Sequence, residues 1–347
     1  SATQFQRERP ETWGFVLRQA VWLSLGLGVM AASLTFDYHH LARWTWPLYA
    51  LNLLLLLAVR LFGREALGAR RWLQVGPLDL QPSELAKVLL IVTLAAHLAA
   101  REGKMQRWQD LLLPLLHVLP PVLLVLSQPD LGTSLVLVAI LGGMLYVAGV
   151  PGRRLAGIGL AGLGAAVAAV VVHLRWGLWL PLREYQLKRL IVFVDPESDP
   201  LGAGYHILQS KIAIGSGRLT GQGLFTGTQN QLDYLPEQHT DFIFAVIGEE
   251  WGFLGGALVI LLFLLLLERG LRTLALARDL FGALLAAGVV SMIAFQVLVN
   301  VGMTMGVMPV TGIPLPFVSY GGSSMITNSL AVGLLLNVHL RRRKILF

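Results

Sequence analysis

Residues 231–250 read Gln231-Leu-Asp-Tyr-Leu-Pro-Glu-Gln-His-Thr-Asp241-Phe-Ile-Phe-Ala-Val-Ile-Gly-Glu-Glu250. A polar run holding Asp233, Glu237, His239 and Asp241 passes without interruption into residues 242–247 and then 254–267, apolar enough to enter a bilayer. Ionisable groups therefore sit at a membrane interface. A charge there is costly to desolvate unless it has a partner or a task, which makes a carboxylate at the lip of a membrane helix a functional candidate.

Working outward, the 347 residues are 55% hydrophobic and 14% charged, with a mean hydropathy of +0.66. Repeated apolar runs near the ~20 residues that span a bilayer predict an all-α polytopic membrane protein. Nine windows stand out, at about 13–35, 46–62, 83–100, 111–127, 132–150, 155–174, 242–267, 281–304 and 322–340. No repeat or low-complexity linker divides them, so residues 1–347 form a single membrane domain. Connections are short except for residues 175–241, a loop far longer than a passive link requires. The chain has no cysteine, which excludes disulfides and thiol chemistry. The net charge of +7 lies in short loops, where membrane topology explains it and nucleic-acid binding is not implied.

Lys and Arg set the orientation. With the C-terminus inside, the inner segments carry thirteen of them: Arg43, Arg101, Lys104, Arg107, Arg153, Arg154, Arg269, Arg272, Arg278, Arg341, Arg342, Arg343 and Lys344. The short outer segments carry five: Arg7, Arg9, Arg64, Arg70 and Arg71. The C-terminus is thus expected in the cytoplasm and the 175–241 loop outside. Nine spans would then export Arg7 and Arg9, and the chain starts without Met, so a first helix is expected to be missing.

Five outward features could carry chemistry. Arg70-Arg71-Trp72 leads through Pro82-Ser-Glu84-Leu-Ala-Lys87 into the third span, with Glu84 and Lys87 on one helix face, as a structural ion pair or as part of a binding site. Ser127-Gln-Pro-Asp130-Leu-Gly-Thr-Ser134 is a tight turn in which Asp130 suits a helix cap. In the long loop, Lys188, Arg189, Lys211 and Arg218 could hold a phosphate-bearing ligand or anchor lipid headgroups, and residues 205–214 could form an amphipathic helix on the membrane surface. His239 beside Asp241 lacks a second histidine at ligand spacing, which excludes a zinc cage but leaves room for Mg²⁺ or Mn²⁺ shared with ligand phosphates. Finally, residues 300–324 are dense in Gly and Pro and predict irregular backbone at membrane depth, lining a cavity on the side of Asp241. Gly157, Gly162 and Gly164 would permit close helix contact, and Pro114, Pro120 and Pro121 should kink the fourth span.

Four runs together resemble the SEDS family (shape, elongation, division and sporulation): Asp195-Pro-Glu-Ser-Asp-Pro-Leu-Gly-Ala-Gly-Tyr-His206, Gln209-Ser-Lys-Ile-Ala-Ile-Gly-Ser-Gly217, His239-Thr-Asp-Phe-Ile-Phe244 and Pro314-Leu-Pro-Phe-Val-Ser-Tyr-Gly-Gly-Ser-Ser324. The resemblance implies a fold of ten transmembrane helices, of which this chain carries the last nine. It implies a multi-pass protein of the bacterial cytoplasmic (inner) membrane, active on the extracytoplasmic face. There it would polymerise lipid II, an undecaprenyl-pyrophosphate-linked disaccharide pentapeptide, during cell-wall elongation. It also implies a class B penicillin-binding protein and other elongation-complex proteins as partners. Asp241 matches the family's essential loop aspartate, and Arg71, Glu84 and Lys87 match charged positions of its site.

Physical chemistry then assigns roles. The acceptor hydroxyl needs a general base, for which Asp241 is the candidate. The departing pyrophosphate needs cations, supplied by Lys87, Arg71, Arg189, Lys211 and Arg218, or a divalent ion near Asp241; no organic cofactor is implied. One displacement inverts the anomeric centre without a second carboxylate as nucleophile. The competing reading is a flippase for the same lipid, which buried charge and a broken helix also suit. A third is a non-catalytic scaffold, which leaves Asp241 without a task.

Overall fold

The computed structural model describes residues 10–342 apart from 67–68, 76–77, 106, 178–183, 196–197, 200–201, 232–233 and 236. Arg7, Arg9, Glu197, Asp233, Arg343 and Lys344 lie outside the described residues. In chain order the elements are α1 (Pro10–Thr35), α2 (His39–Arg43), α3 (Thr45–Phe62), β1 (Arg64–Ala66), β2 (Ala69–Val75), β3 (Leu78–Leu80), α4 (Pro82–Ala99), α5 (Leu112–Ser127), α6 (Leu131–Val147), α7 (Gly152–Trp176), α8 (Glu184–Val194), α9 (Ala203–Ser216), α10 (Thr228–Gln231), α11 (Ile243–Ala275), α12 (Leu280–Thr304) and α13 (Gly322–Leu340). Among the described residues eight helices are long and apolar enough to cross a membrane. A ninth, α6, is apolar but has 17 residues. All nine fall in the windows expected from hydropathy.

The helices differ in depth within the bundle. Most of α4 and α12 is buried, 78% and 67% of their apolar windows. They cross tightly where Gly288 of α12 meets α4: a Cβ there would lie 2.7 Å from a methyl of Ile91. In α7, by contrast, no residue of the apolar window is buried, and Gly157, Gly162 and Gly164 face open space. These three glycines, which would permit close helix contact, meet no other helix among the described residues. α5 runs as one helix through Pro120 and Pro121.

Two features depart from an all-helical plan. The segment between α3 and α4 folds as a three-stranded antiparallel sheet in the order β1-β2-β3, with Arg64 opposite Trp72 and Leu73 opposite Leu80. The Gly-Pro pair at 76–77 is the turn signal in this stretch. The long loop is also structured, by α8, α9 and α10. α9 has one apolar face turned to the helices, while Leu208 and Ile212 remain exposed on another. It packs on α11 and α12, burying Ile207 and Ala213 in a second apolar cluster with Val192, Leu235, Phe242, Ala245, Met303 and Val310. Ser210 of α9 donates to the Thr304 carbonyl at 2.7 Å.

The loop is fastened to α11 by a break in that helix. Gly252 has φ 65° and ψ −160°, a region open essentially only to glycine. Breaking the ladder frees main-chain groups on both sides. The carbonyls of Glu249 and Glu250 accept from the N–H groups of Gln222 (2.9 Å) and Gly223 (3.0 Å), while the N–H groups of Phe253 and Leu254 donate to the carbonyls of Arg218 (2.8 Å) and Leu219 (3.1 Å). The groups orphaned by the kink and by the loop satisfy one another.

Candidate active site

The irregular backbone expected between α12 and α13 is present from Met305 to Gly321, with positive φ at Gly306, Gly312 and Phe317. Asn300, fully buried in the last turns of α12, holds it in place: its Nδ2 donates to the Asp241 carbonyl at 3.0 Å and to the Ile313 carbonyl at 2.7 Å. Ser319 donates to the Thr240 carbonyl at 2.6 Å and accepts from the Leu315 N–H at 2.8 Å, and the Tyr320 N–H donates to the His239 carbonyl at 2.8 Å. Residues 239–241 are thereby laced to the 305–321 segment.

Asp241 and Arg189 converge on Gly312. A Cβ at that glycine would lie 3.3 Å from Asp241 Oδ2 and 3.8 Å from Arg189 Nη1. Arg189, on α8, donates to the Val310 carbonyl at 3.3 Å. Arg71, on β2, reaches the α5–α6 turn, donating through Nε to the Gln128 carbonyl at 3.3 Å and through Nη2 to the Pro129 carbonyl. Arg71 and Arg189 line one cavity of about 100 Å³ with Pro129, Leu131, Leu190 and Val310. Whole-ligand pockets are usually several times larger.

Burial pushes the Asp241 carboxyl up to about 6; Glu237 and Asp130 add to the rise, and Arg189 and Arg71 oppose it. Asp130 is the cap expected of it: its Oδ1 accepts from the Thr133 N–H at 3.1 Å at the start of α6. It also accepts from the Thr133 hydroxyl at 2.8 Å and lies 3.5 Å from Ser83 Oγ on α4. Directly after Ser83, Glu84 forms an ion pair of 2.7 Å with Lys87 one turn on, their side chains 4% and 1% exposed. The second oxygen of Glu84 has no hydrogen-bond partner among the described residues.

Of the remaining sequence candidates, neither Lys211 nor Arg218 lines the cavity. Lys211 lies over Gly306, where an added Cβ would be 2.7 Å from its Nζ, and Arg218 sits at the α11 break with φ 50°. No group of three acidic or histidine side chains placed to hold a metal ion occurs among the described residues. Sequence reasoning gave no role to Asn300 or to Gln186, which is buried on the cavity wall. An amide in the last turn of an apolar span was the available signal for Asn300.

A helical bundle of membrane-spanning length, with Asp241, Arg189 and Arg71 gathered at one mouth, defines a multi-pass membrane protein. Comparison with known proteins narrows the class. A family model described as cell cycle protein, FtsW/RodA/SpoVE, matches residues 1–344. The peptidoglycan glycosyltransferase MrdB of Escherichia coli (strain K12) is 40% identical over 331 residues, covering 95% of this chain and 87% of that one. The peptidoglycan glycosyltransferase RodA of Treponema pallidum (strain Nichols) is 37% identical over 389 residues, covering 94% and 90%. Among solved structures, a chain from a peptidoglycan synthase complex, solved to explain how polymerization and crosslinking are coordinated, superposes with a TM-score of 0.78 at 38% identity, covering 94% of this chain and 90% of that one. The crystal structure of Thermus thermophilus rod shape determining protein RodA superposes with a TM-score of 0.69 at 35% identity, covering 95% and 89%. The chain belongs to the FtsW/RodA/SpoVE, or SEDS, family. It is a peptidoglycan glycosyltransferase.

Proposed function

We propose that the enzyme polymerises lipid II into glycan strands by inverting transfer, with Asp241 as general base. The observation that carries this reading is the convergence of Asp241 and Arg189 on Gly312 beside a cavity that Arg71 also lines. A carboxyl near 6 is ionised at neutral pH and still more basic than an ordinary aspartate, the compromise a general base needs. It takes the proton of the acceptor sugar hydroxyl as the oxygen attacks the anomeric carbon. The bond to pyrophosphate breaks on the opposite side, and an α-linked donor becomes a β-linked product. Arg189 and Arg71 hold the pyrophosphate and stabilise its developing charge. Apolar walls from Leu131, Leu135 and Leu190 suit the first isoprene units of the donor. The Glu84–Lys87 pair orients the start of α4 beneath the site, and Lys211 and Arg218, more remote, attract the anionic substrate to that face.

Asp241 and Glu237 would hold a Mg²⁺ or Mn²⁺ ion together with the substrate's phosphates, since a hard cation that keeps most of its waters needs only one or two carboxylates. Bound there, it would neutralise charge on the pyrophosphate. The nine helices are taken to span the membrane with the C-terminus in the cytoplasm, as the thirteen-to-five distribution of Lys and Arg supports. That puts the cavity and α8–α10 outside, within reach of a class B penicillin-binding protein that crosslinks the product within the elongation machinery.

Labelled lipid II tests this reading, incubated with the purified enzyme, with and without partner and Mg²⁺ or Mn²⁺. The parent is expected to make polymer and folded Asp241→Asn none, because the amide keeps the shape but cannot take the proton. Equal polymer from parent, Asp241→Asn and Asp241→Ala would remove Asp241 from the chemistry.

A further inference from the structure

The α11 break has a consequence for how deep the enzyme sits in the membrane. The unbroken apolar run that follows it, residues 253–267, has only 15 residues, roughly 22 Å of helix at ~1.5 Å per residue. That is short of the ~30 Å hydrocarbon core. The run cannot be lengthened inward, because Glu268, Arg269 and Arg272 follow at once, substantially exposed and ion-paired with one another. Counting back from Leu267 by the ~20 residues a span needs reaches Gly248, and any tilt reaches further. The outer edge of the hydrocarbon therefore lies beyond the Gly252 break, and whatever is bonded to residues 249–254 shares their depth.

What is bonded there is the 218–223 loop, through four main-chain hydrogen bonds. Its outward side chains are apolar: Leu219 is 60% exposed, Leu224 58% and Phe225 65%, beside Trp251, Phe253 and Leu254 on the helix, all at least half exposed. Phe225 is held at φ 57°, a conformation that costs a non-glycine residue free energy and that displays the ring outward. In water this would be an unpaid loss. The patch continues without interruption into the exposed Leu258, Leu261, Leu262 and Leu265 of the same helix.

We infer that residues 218–225, part of the segment between α9 and α11, form a re-entrant loop in the outer leaflet, with Leu219, Leu224 and Phe225 against phospholipid acyl chains. Non-helical backbone is tolerated at that depth only if its polar groups are satisfied by protein. The carbonyls and N–H groups freed at Gly252 supply such partners to four of the loop's main-chain groups, the Arg218 and Leu219 carbonyls and the Gln222 and Gly223 N–H groups. The closeness is enforced by glycine: a Cβ on Gly221 would lie 2.1 Å from the Glu250 carbonyl oxygen. Arg218 and Gln222, both exposed, extend toward the headgroups.

The absence of cysteine makes the test clean. Leu219→Cys, Leu224→Cys and Phe225→Cys are each labelled with a nitroxide in active enzyme reconstituted into phospholipid nanodiscs. Collision with oxygen is compared with collision with a water-soluble nickel chelate. Leu258→Cys on the outer face of α11 and Ser198→Cys, at an exposed residue between α8 and α9, serve as references. The loop labels are expected to favour oxygen as the Leu258 label does, several-fold over the Ser198 label. A nickel preference like that at Ser198 would place the loop in water and overturn the inference. Labels shielded from both reagents would mean that protein covers the patch, and would overturn it equally. Because retention of lipid II polymerisation only confirms native folding of each variant, the depth result stands or falls separately from the role of Asp241.

Discussion

Asp241 and Asp279 lie at opposite ends of the bundle and answer burial in opposite ways. Asp279 caps α12, its Oδ1 accepting from the Gly282 N–H at 2.8 Å, and its Oδ2 accepts from the Tyr38 hydroxyl at 2.6 Å and faces His39 Nε2 at 2.9 Å. Burial alone would raise its carboxyl, but these hydrogen bonds and the His39 charge outweigh it and hold the group below the usual range. His39 in turn faces Asp37 through Nδ1 at 2.6 Å, closing a clasp between the α1–α2 turn and the start of α12. Asp241 is buried too, yet no donor hydrogen-bonds its carboxylate among the described residues, and Glu237 adds repulsion, so it rises to about 6. Deeper burial and the lack of donors aimed at the carboxylate together separate Asp241 from the capping acid Asp279.

The sharpest way to break this contrast is to make one substitution at both ends. Asp241→Asn is expected to lower the rate of lipid II polymerisation by roughly 10²–10⁴, the usual worth of a general base. Asp279→Asn, at the clasp, should leave that rate within a few-fold of the parent. Comparable losses from both would mean that Asp241 also serves the fold.

Glu84 extends the comparison to a third carboxylate, whose answer to burial is a cation. Lys87→Ala leaves that charge buried without its partner, and breaking such a pair costs about 3–5 kcal/mol, measured as thermal stability in detergent. The double variant Glu84→Gln with Lys87→Met should recover most of the stability, because no uncompensated charge remains. If it also recovers activity, the pair is structural; folding without activity assigns it to the site.

These contrasts were unevenly legible in the sequence. The spans were, because period and length alone report burial in lipid: each of the nine apolar windows became a helix. Asp241, Arg71 and Arg189 were visible as charges that apolar surroundings must explain, and Asp130 as a cap from its position before Leu131. What was hidden depends on contacts between distant segments. Gly252 gives no sign that α11 breaks there, since glycine also occurs unbroken in α11 at Gly255 and Gly256. The packing of residues 205–214 on α11 was hidden because an apolar face toward lipid and one toward another helix have the same period. The strands of 64–80 were obscured by their shortness and by charge at Arg64, Glu65, Arg70 and Arg71.

The electrostatic cause of the Asp241 shift can be sharpened by its neighbours. The base must be ionised, so polymerisation should fall as pH drops through about 6. Glu237 raises the group, and removing its charge in Glu237→Gln should move the acid limb to lower pH. Arg189 lowers it, and Arg189→Gln should move the limb to higher pH while also weakening donor binding. Limbs that move together, or not at all, would trace the pH dependence to another group.

The smallest effect discriminates most directly between the two acids, because its sign reverses. The Asp279 carboxyl is depressed in the folded state, so its ionised form contributes stability that is present above its ordinary value of 3.8 and lost as pH falls below it. The Asp241 carboxyl is raised, so the folded state binds its proton more tightly than the unfolded chain does. Between 3.8 and about 6 that difference erodes stability as pH rises, and above about 6 the loss is complete. At pH 8, Asp279→Asn should therefore destabilise the enzyme, whereas Asp241→Asn should stabilise it by about 1–3 kcal/mol. Near pH 4 the gain from Asp241→Asn should vanish, because the parent group is then protonated. Thermal unfolding of both variants and the parent at the two pH values reads this out, and a destabilised Asp241→Asn at pH 8 would show that the aspartate is held by donors after all.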